Sequence, residues 1–123
     1  MPSERQAFGK KSEAAAMDFL RRHGYAIIEC NYRNTLGEID IIARDRDVIV
    51  FVEVKAKKRK GSIHPKYSIT LKKQKKLSAV ALCYLKAKRH TRSSARFDVV
   101  TVLSAQDNPE IELIRNAFEL AYP

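Results

Sequence analysis

The chain has 123 residues, 45% of them hydrophobic, which suits one domain (residues 1–123) with an ordinary core and leaves no room for a second. Its apolar runs fall far short of the ~20 residues that span a bilayer, the first residues lack the apolar centre of a secretory signal, and two cysteines cannot build a disulfide framework. A cytoplasmic protein without a membrane partner is expected, and its excess of 24 Lys and Arg over 14 Asp and Glu points to a polyanion.

In chain order, the first predicted element is a helix over residues 7–23, stopped by Gly24. At 100° per residue Glu13 falls beside Ala16, Met17 and Leu20 on an apolar stripe, so its carboxylate is aimed inward, unless it sits at the margin and pairs with Lys10. A strand over residues 25–33 and a turn over 34–37 follow.

Next comes G-E-I-D-I-I-A-R-D-R-D-V-I-V-F-V-E-V-K, residues 37–55, read as two strands joined by a two-residue turn at Arg46 and Asp47. Period-2 alternation groups Glu38, Asp40 and Ile42 on one face and Ile39, Ile41 and Ala43 on the other. In the second strand Ile49, Phe51, Glu53 and Lys55 share a face. An antiparallel hairpin closed by that turn sets Ala43 against Val50, Asp40 against Glu53 and Glu38 against Lys55, on the side that both helices cover. Like charges about 4.5–5.5 Å apart destabilise a sheet, and carboxylates in such apolar strands need a partner. A divalent cation between Asp40 and Glu53 would supply one.

After Lys55 the chain becomes basic: residues 54–97 contain no acid and 15 Lys and Arg. Lys57, Lys58, Arg59 and Lys60 open a loop that includes Gly61 and Pro65. A helix is predicted over residues 70–88, with Gln74 facing inward beside Leu77, Ser78, Ala81 and Leu85 while Lys72, Lys73, Lys75 and Lys76 point elsewhere. Gln74 then either reaches a site or hydrogen-bonds a neighbouring backbone group. These basic residues are candidate phosphate contacts, with a solvated face as the plain alternative. A strand over residues 96–103, a turn at 107–109, a strand over 110–115 and an apolar tail around Phe118 complete the chain. Asp98, an acid in an apolar strand, is expected to pair with Arg96 or the basic helix.

The order α-β-β-β-α-β-β predicts an α/β fold, a mixed sheet flanked by helices. Hydrolysis of a phosphodiester needs an activated water, charge stabilisation and help for the departing oxygen. Hard cations such as Mg²⁺ or Mn²⁺ take oxygen ligands and keep several waters, so two or three carboxylates suffice. Asp40 and Glu53 are the candidate ligands. Lys55 would hold the water or phosphate, its charge favoured by the neighbouring carboxylates, and Glu13 and Gln74 would complete the catalytic set.

The succession of Glu13, G-E-I-D and E-V-K resembles the PD-(D/E)XK nuclease superfamily. Together with N-Y-R at Asn31–Arg33, K-x-Q at Lys72–Gln74, R-F-D-V-V at Arg96–Val100 and N-A-F at Asn116–Phe118, it resembles more closely the YraN-like family. These small bacterial proteins are described as endonucleases similar to archaeal Holliday junction resolvases. The resemblance implies a restriction-endonuclease-like αβββαβ core, Asp40 and Glu53 as metal ligands, Lys55 as a catalytic residue, Glu13 as an added acid and Gln74 lining the site. It implies a Mg²⁺-dependent endonuclease acting on DNA, branched or junction DNA included, and leaves room for a homodimer. The alternatives are a nucleic-acid-binding module of the same fold without catalysis, and an interaction protein whose basic helix meets an acidic partner or a membrane surface.

Overall fold

The structure, a computed structural model, describes residues 3–57, 69–89, 94–103 and 110–120, and the side chains of residues 4–8 are not among those described. Helix α1 (Glu4–Arg22) is followed by strands β1 (Ala26–Asn34), β2 (Gly37–Asp45) and β3 (Val48–Lys57), helix α2 (Leu71–Ala87), and strands β4 (Ser94–Leu103) and β5 (Glu110–Phe118). This is the expected α-β-β-β-α-β core of an α/β fold, and its last strand runs through Phe118, where an apolar tail was expected. The basic loop bearing Lys58, Arg59 and Lys60, and the turn at 107–109, lie outside the described residues.

The sheet order is β1-β2-β3-β4-β5. Neighbouring strands run antiparallel except β3 and β4, which are parallel. A parallel pair needs a long crossover, and α2 lies on the one that joins them. β3 and β4 are therefore interior strands covered on both faces, and they read as near-continuous apolar runs.

Two cores result, one on each side. Ile42, Ile49, Phe51, Phe97 and Phe118 pack under α2 through Leu77, Val80, Ala81 and Tyr84. Ile41, Ala43, Val50, Val52 and Val100 pack under α1 through Ala16 and Leu20. Each large apolar side chain buried this way contributes about 1.5–3 kcal/mol. The helices thus cover opposite faces, which corrects the expectation that both cover one. The hydrophobic pattern could not reveal this, because strands apolar on both faces accept a helix on either.

Local geometry explains how the elements meet. Gly24, at φ +89°, ends α1 in the left-handed region that glycine adopts without penalty. A Cβ at Gly37 would lie 3.2 Å from Val80 Cγ2 and 3.4 Å from Lys76 Cε, so glycine lets α2 settle on the start of β2.

Asp98 lies in β4 with no exposed surface. It accepts hydrogen bonds from Tyr25 Oη (2.8 Å), Arg96 Nε (2.9 Å) and the Asn116 backbone N–H (2.9 Å). Arg96 Nη2 also donates to Asp45 at 2.8 Å and to Tyr25 Oη at 3.0 Å. The ion pair expected for Asp98 is therefore made with Arg96, and through it the start of β1, the end of β2, β4 and β5 are tied together. Asn116, at φ 51°, turns its N–H onto the carboxylate, a conformation asparagine tolerates better than most residues. A buried carboxylate stripped of its cation is strongly destabilising, so Arg96→Ala should cost about 3–5 kcal/mol in urea unfolding. A loss below ~1 kcal/mol would show that this network does not anchor the sheet.

Candidate active site

The hairpin forms in the expected register over five pairs, from Asp45 opposite Val48 to Ile41 opposite Val52, around a turn in which Arg46 adopts φ 56°. The paired register stops there. Beyond it the Val54 N–H donates to Asp40 Oδ2 at 2.8 Å, so a side chain takes up a backbone donor at the end of the ladder. Asp40 and Glu53 remain electrostatic neighbours, but the extended pairing of Asp40 with Glu53 and Glu38 with Lys55 is not made. Glu38 pairs instead with Arg33 of β1, 3.0 Å away.

The face assignment changes at the same place. Ile39 packs in the core under α2 with Ile42 and Phe51, while Ile41 and Ala43 lie under α1. Strict alternation would have kept Ile39 with Ile41. Asn31 of β1, at φ 54°, falls between the pairs Cys30–Ile41 and Tyr32–Ile39, directly across from Asp40. One left-handed residue reverses the parity of the strand, and the neighbouring strand follows. The Asn31 side chain also hydrogen-bonds Glu13, so the residue that bends the sheet holds the helix acid.

Four carboxylates therefore interact at this end of the sheet. Burial and then the charge of Glu53 push Asp40 up to about 7, with smaller contributions from Glu13 and Glu38. Glu13 is raised chiefly by burial, with Glu38 and Glu53 adding repulsion. Glu53 is 9% exposed. Its Oε1 lies 3.1 Å from Lys73 Nζ and 4.0 Å from Lys55 Nζ. Lys55 is held below the ordinary lysine value, first by burial and then by Lys73, which together outweigh Glu53 and Asp40. The carboxylates were expected to favour its charge; burial and a second ammonium reverse the balance.

The structure brings together Glu13, Asp40, Glu53 and Lys55 of the expected set. Gln74 is half-buried and its Nε2 donates to the Ile69 carbonyl at 3.0 Å, the neighbouring-backbone partner weighed above. Lys73, expected to point away, reaches Glu53. The Thr70 hydroxyl caps α2 by accepting from the Lys73 N–H at 3.1 Å, which places Lys73 in the first turn, at the head of the stripe that continues through Leu77, Val80 and Tyr84. That spacing of four, three and four was readable in the sequence, but a lysine at its head reads as solvent-facing. Lys72, Lys75 and Lys76 are exposed along the same helix, and Lys57 ends β3.

An all-oxygen donor pair suits a hard cation such as Mg²⁺ or Mn²⁺ better than zinc. Among the described residues no group of three or more His, Cys, Asp or Glu side chains forms a metal-binding cluster. Two carboxylates with water completing the shell fit the cation that keeps its waters. A cavity of about 190 Å³ between α2 and the start of β2 is lined by Gly37, Glu38, Lys73, Lys76, Leu77 and Val80. A larger one, about 530 Å³, lies at the other end of the strands, where Arg96 and Arg115 already face Asp45. Among the described residues no helix is long and apolar enough to cross a membrane.

Fold and site together define a mixed-sheet α/β protein that gathers acids and two lysines where two strands part. Residues 12–102 match the model of the Uncharacterised protein family UPF0102. The chain belongs to that family, in keeping with the YraN-like resemblance of its motifs. A UPF0102 protein of Desulfosudis oleivorans is 47% identical over 119 residues, covering 97% of this chain and 95% of the relative. One from Syntrophus aciditrophicus is 48% identical over 93% and 90%, and one from Geobacter metallireducens 43% identical over 99% and 100%. Among solved structures, SfsA of Pyrococcus furiosus in complex with Ca²⁺ aligns at a TM-score of 0.40 with 11% identity, covering 90% of this chain and 62% of that one.

The raised Asp40 has a measurable consequence in chelator. Between its ordinary range and about 7 the folded protein holds a proton that the unfolded chain has released, so stability falls as pH rises through that window. Asp40→Asn keeps an acceptor for the Val54 N–H and removes the charge. It should leave stability near wild type at about pH 4 and raise it by on the order of 1–2 kcal/mol at pH 8. Equal thermal melts of the two proteins at pH 8 would mean that Asp40 is not held in repulsion.

Proposed function

We propose that this protein is a metal-dependent endonuclease that hydrolyses DNA phosphodiester bonds, with branched and four-way DNA as the substrates to try first. The reading is carried by one observation: Asp40 and Glu53, with Lys55 beside them, meet where β2 and β3 cease to pair. Strand pairing alone gives no reason to place two mutually repelling acids there, and the resemblance of G-E-I-D and E-V-K to the PD-(D/E)XK nucleases supplies a use for them.

In this reading Asp40 and Glu53 would hold Mg²⁺ or Mn²⁺. When bound, such a cation supplies an activated water and neutralises charge on the phosphate. Lys55 presents its ammonium to the attacked phosphate or the incoming water, acting electrostatically in a site where burial strengthens every charge. Glu13, fixed by Asn31, adds an acid to the rim. Gln74 spends its amide N–H on the Ile69 carbonyl, so we assign it to holding the first turn of α2.

The first turns of α2 hold Lys72, Lys73, Lys75 and Lys76, and its first turn holds no acid. Cations at a helix N-terminus are disfavoured by the macrodipole by about 0.3–1 kcal/mol each, and an incoming phosphate would relieve that cost. With Lys57 at the end of β3, and with Lys58, Arg59 and Lys60 following in the sequence, these residues are the surface we assign to the DNA backbone.

The test is a cleavage assay on linear, flapped and four-way DNA with Mg²⁺ or Mn²⁺, comparing wild type with Asp40→Ala and Glu53→Ala. Cleavage of at least one substrate by wild type, lost by about 10²-fold or more in each variant with DNA binding intact or tighter, is the expected result. Binding without metal-dependent cleavage would favour the non-catalytic module instead.

A further inference from the structure

Two ammonium groups converge on one oxygen atom: Lys73 Nζ at 3.1 Å and Lys55 Nζ at 4.0 Å from Glu53 Oε1. The two ammonium groups also act on one another electrostatically. Like charges so arranged repel, and holding them there takes compensation from the carboxylates. Lys55 rises from the same strand as Glu53 and is 24% exposed, whereas Lys73 comes from α2 and is 43% exposed. Of the two, Lys73 can leave by rotating its side chain alone, and it already borders the cavity beside Lys76 and Gly37.

Glu53 is one of the two carboxylates assigned above to a divalent cation. A dication and an ammonium attracted to the same carboxylate compete, because each weakens the field that holds the other. We infer that Lys73 is a built-in competitor for that cation, a positioning residue that occupies Glu53 when the site is unloaded and is displaced from it on loading. The inference rests on the proposed metal site and deepens it.

A consequence follows for the order of events. A DNA phosphate near α2 attracts Lys73 away from Glu53, and a cation on Glu53 releases Lys73 toward a phosphate. Each ligand therefore raises the affinity of the other by the same factor, since coupling between two binding equilibria is reciprocal. The device would keep the site poorly metallated until nucleic acid arrives.

The experiment is a Mn²⁺ titration of the DNA-free protein followed by electron paramagnetic resonance, with circular dichroism confirming that each variant is folded. Lys73→Met should bind Mn²⁺ about tenfold more tightly than wild type. Lys73→Arg, which keeps the charge, should stay near wild type, and so should Lys76→Met, which removes a charge from the same helix. An unchanged or weaker affinity in Lys73→Met, or equal tightening in Lys76→Met, would overturn the competitor role while leaving the metal site standing. Failure of every protein to bind Mn²⁺ at all would overturn both.

Discussion

The acidic end of this molecule is organised by the repulsion between Asp40 and Glu53, two carboxylates on adjacent strands that are largely withdrawn from water. Burial and mutual charge both oppose ionisation of Asp40, and the sheet answers in three ways. The strands stop pairing, a backbone N–H turns onto Asp40, and two lysines gather on Glu53. A fold that keeps such a cluster holds it against its own stability, the pattern expected where charge is retained for use elsewhere.

The network around Asp98 shows what a fully compensated acid looks like. Asp98 is more deeply buried than Asp40, yet it receives a guanidinium, a phenol and a backbone amide. That network is closed, and its arginine is committed. The contrast separates the stretches behind the family resemblance into two groups. R-F-D-V-V and N-A-F build the structural anchor through Arg96, Asp98 and the left-handed Asn116, while G-E-I-D and E-V-K build the acidic site. N-Y-R serves the site indirectly, since Asn31 bends β1 across from Asp40 and secures Glu13.

The element order was legible because each helix carries a capping or stopping residue and β2, β3 and β4 carry clear apolar runs. So was the hairpin register from Asp45 opposite Val48 to Ile41 opposite Val52, which a two-residue turn determines once its position is known, though not the pairing beyond it. Three things were not legible. The helices' opposite placement depends on tertiary packing of strands that are apolar on both faces. The parity reversal at Asp40 depends on one asparagine in β1 with positive φ, a conformation that periodicity assumes away. The role of Lys73 depends on where α2 docks: its wheel position was readable, but only the approach of α2 over Gly37 brings that position to Glu53.

The most direct measurement of whether the acids form a cation site is paramagnetic broadening of backbone amide resonances by Mn²⁺ added below stoichiometric amounts. Loss of signal centred on residues 39–41 and 53–55, absent in Glu53→Gln, is the expected result. Broadening that is uniform, or centred on Asp45 at the far end of the strands, would contradict a cation site between Asp40 and Glu53.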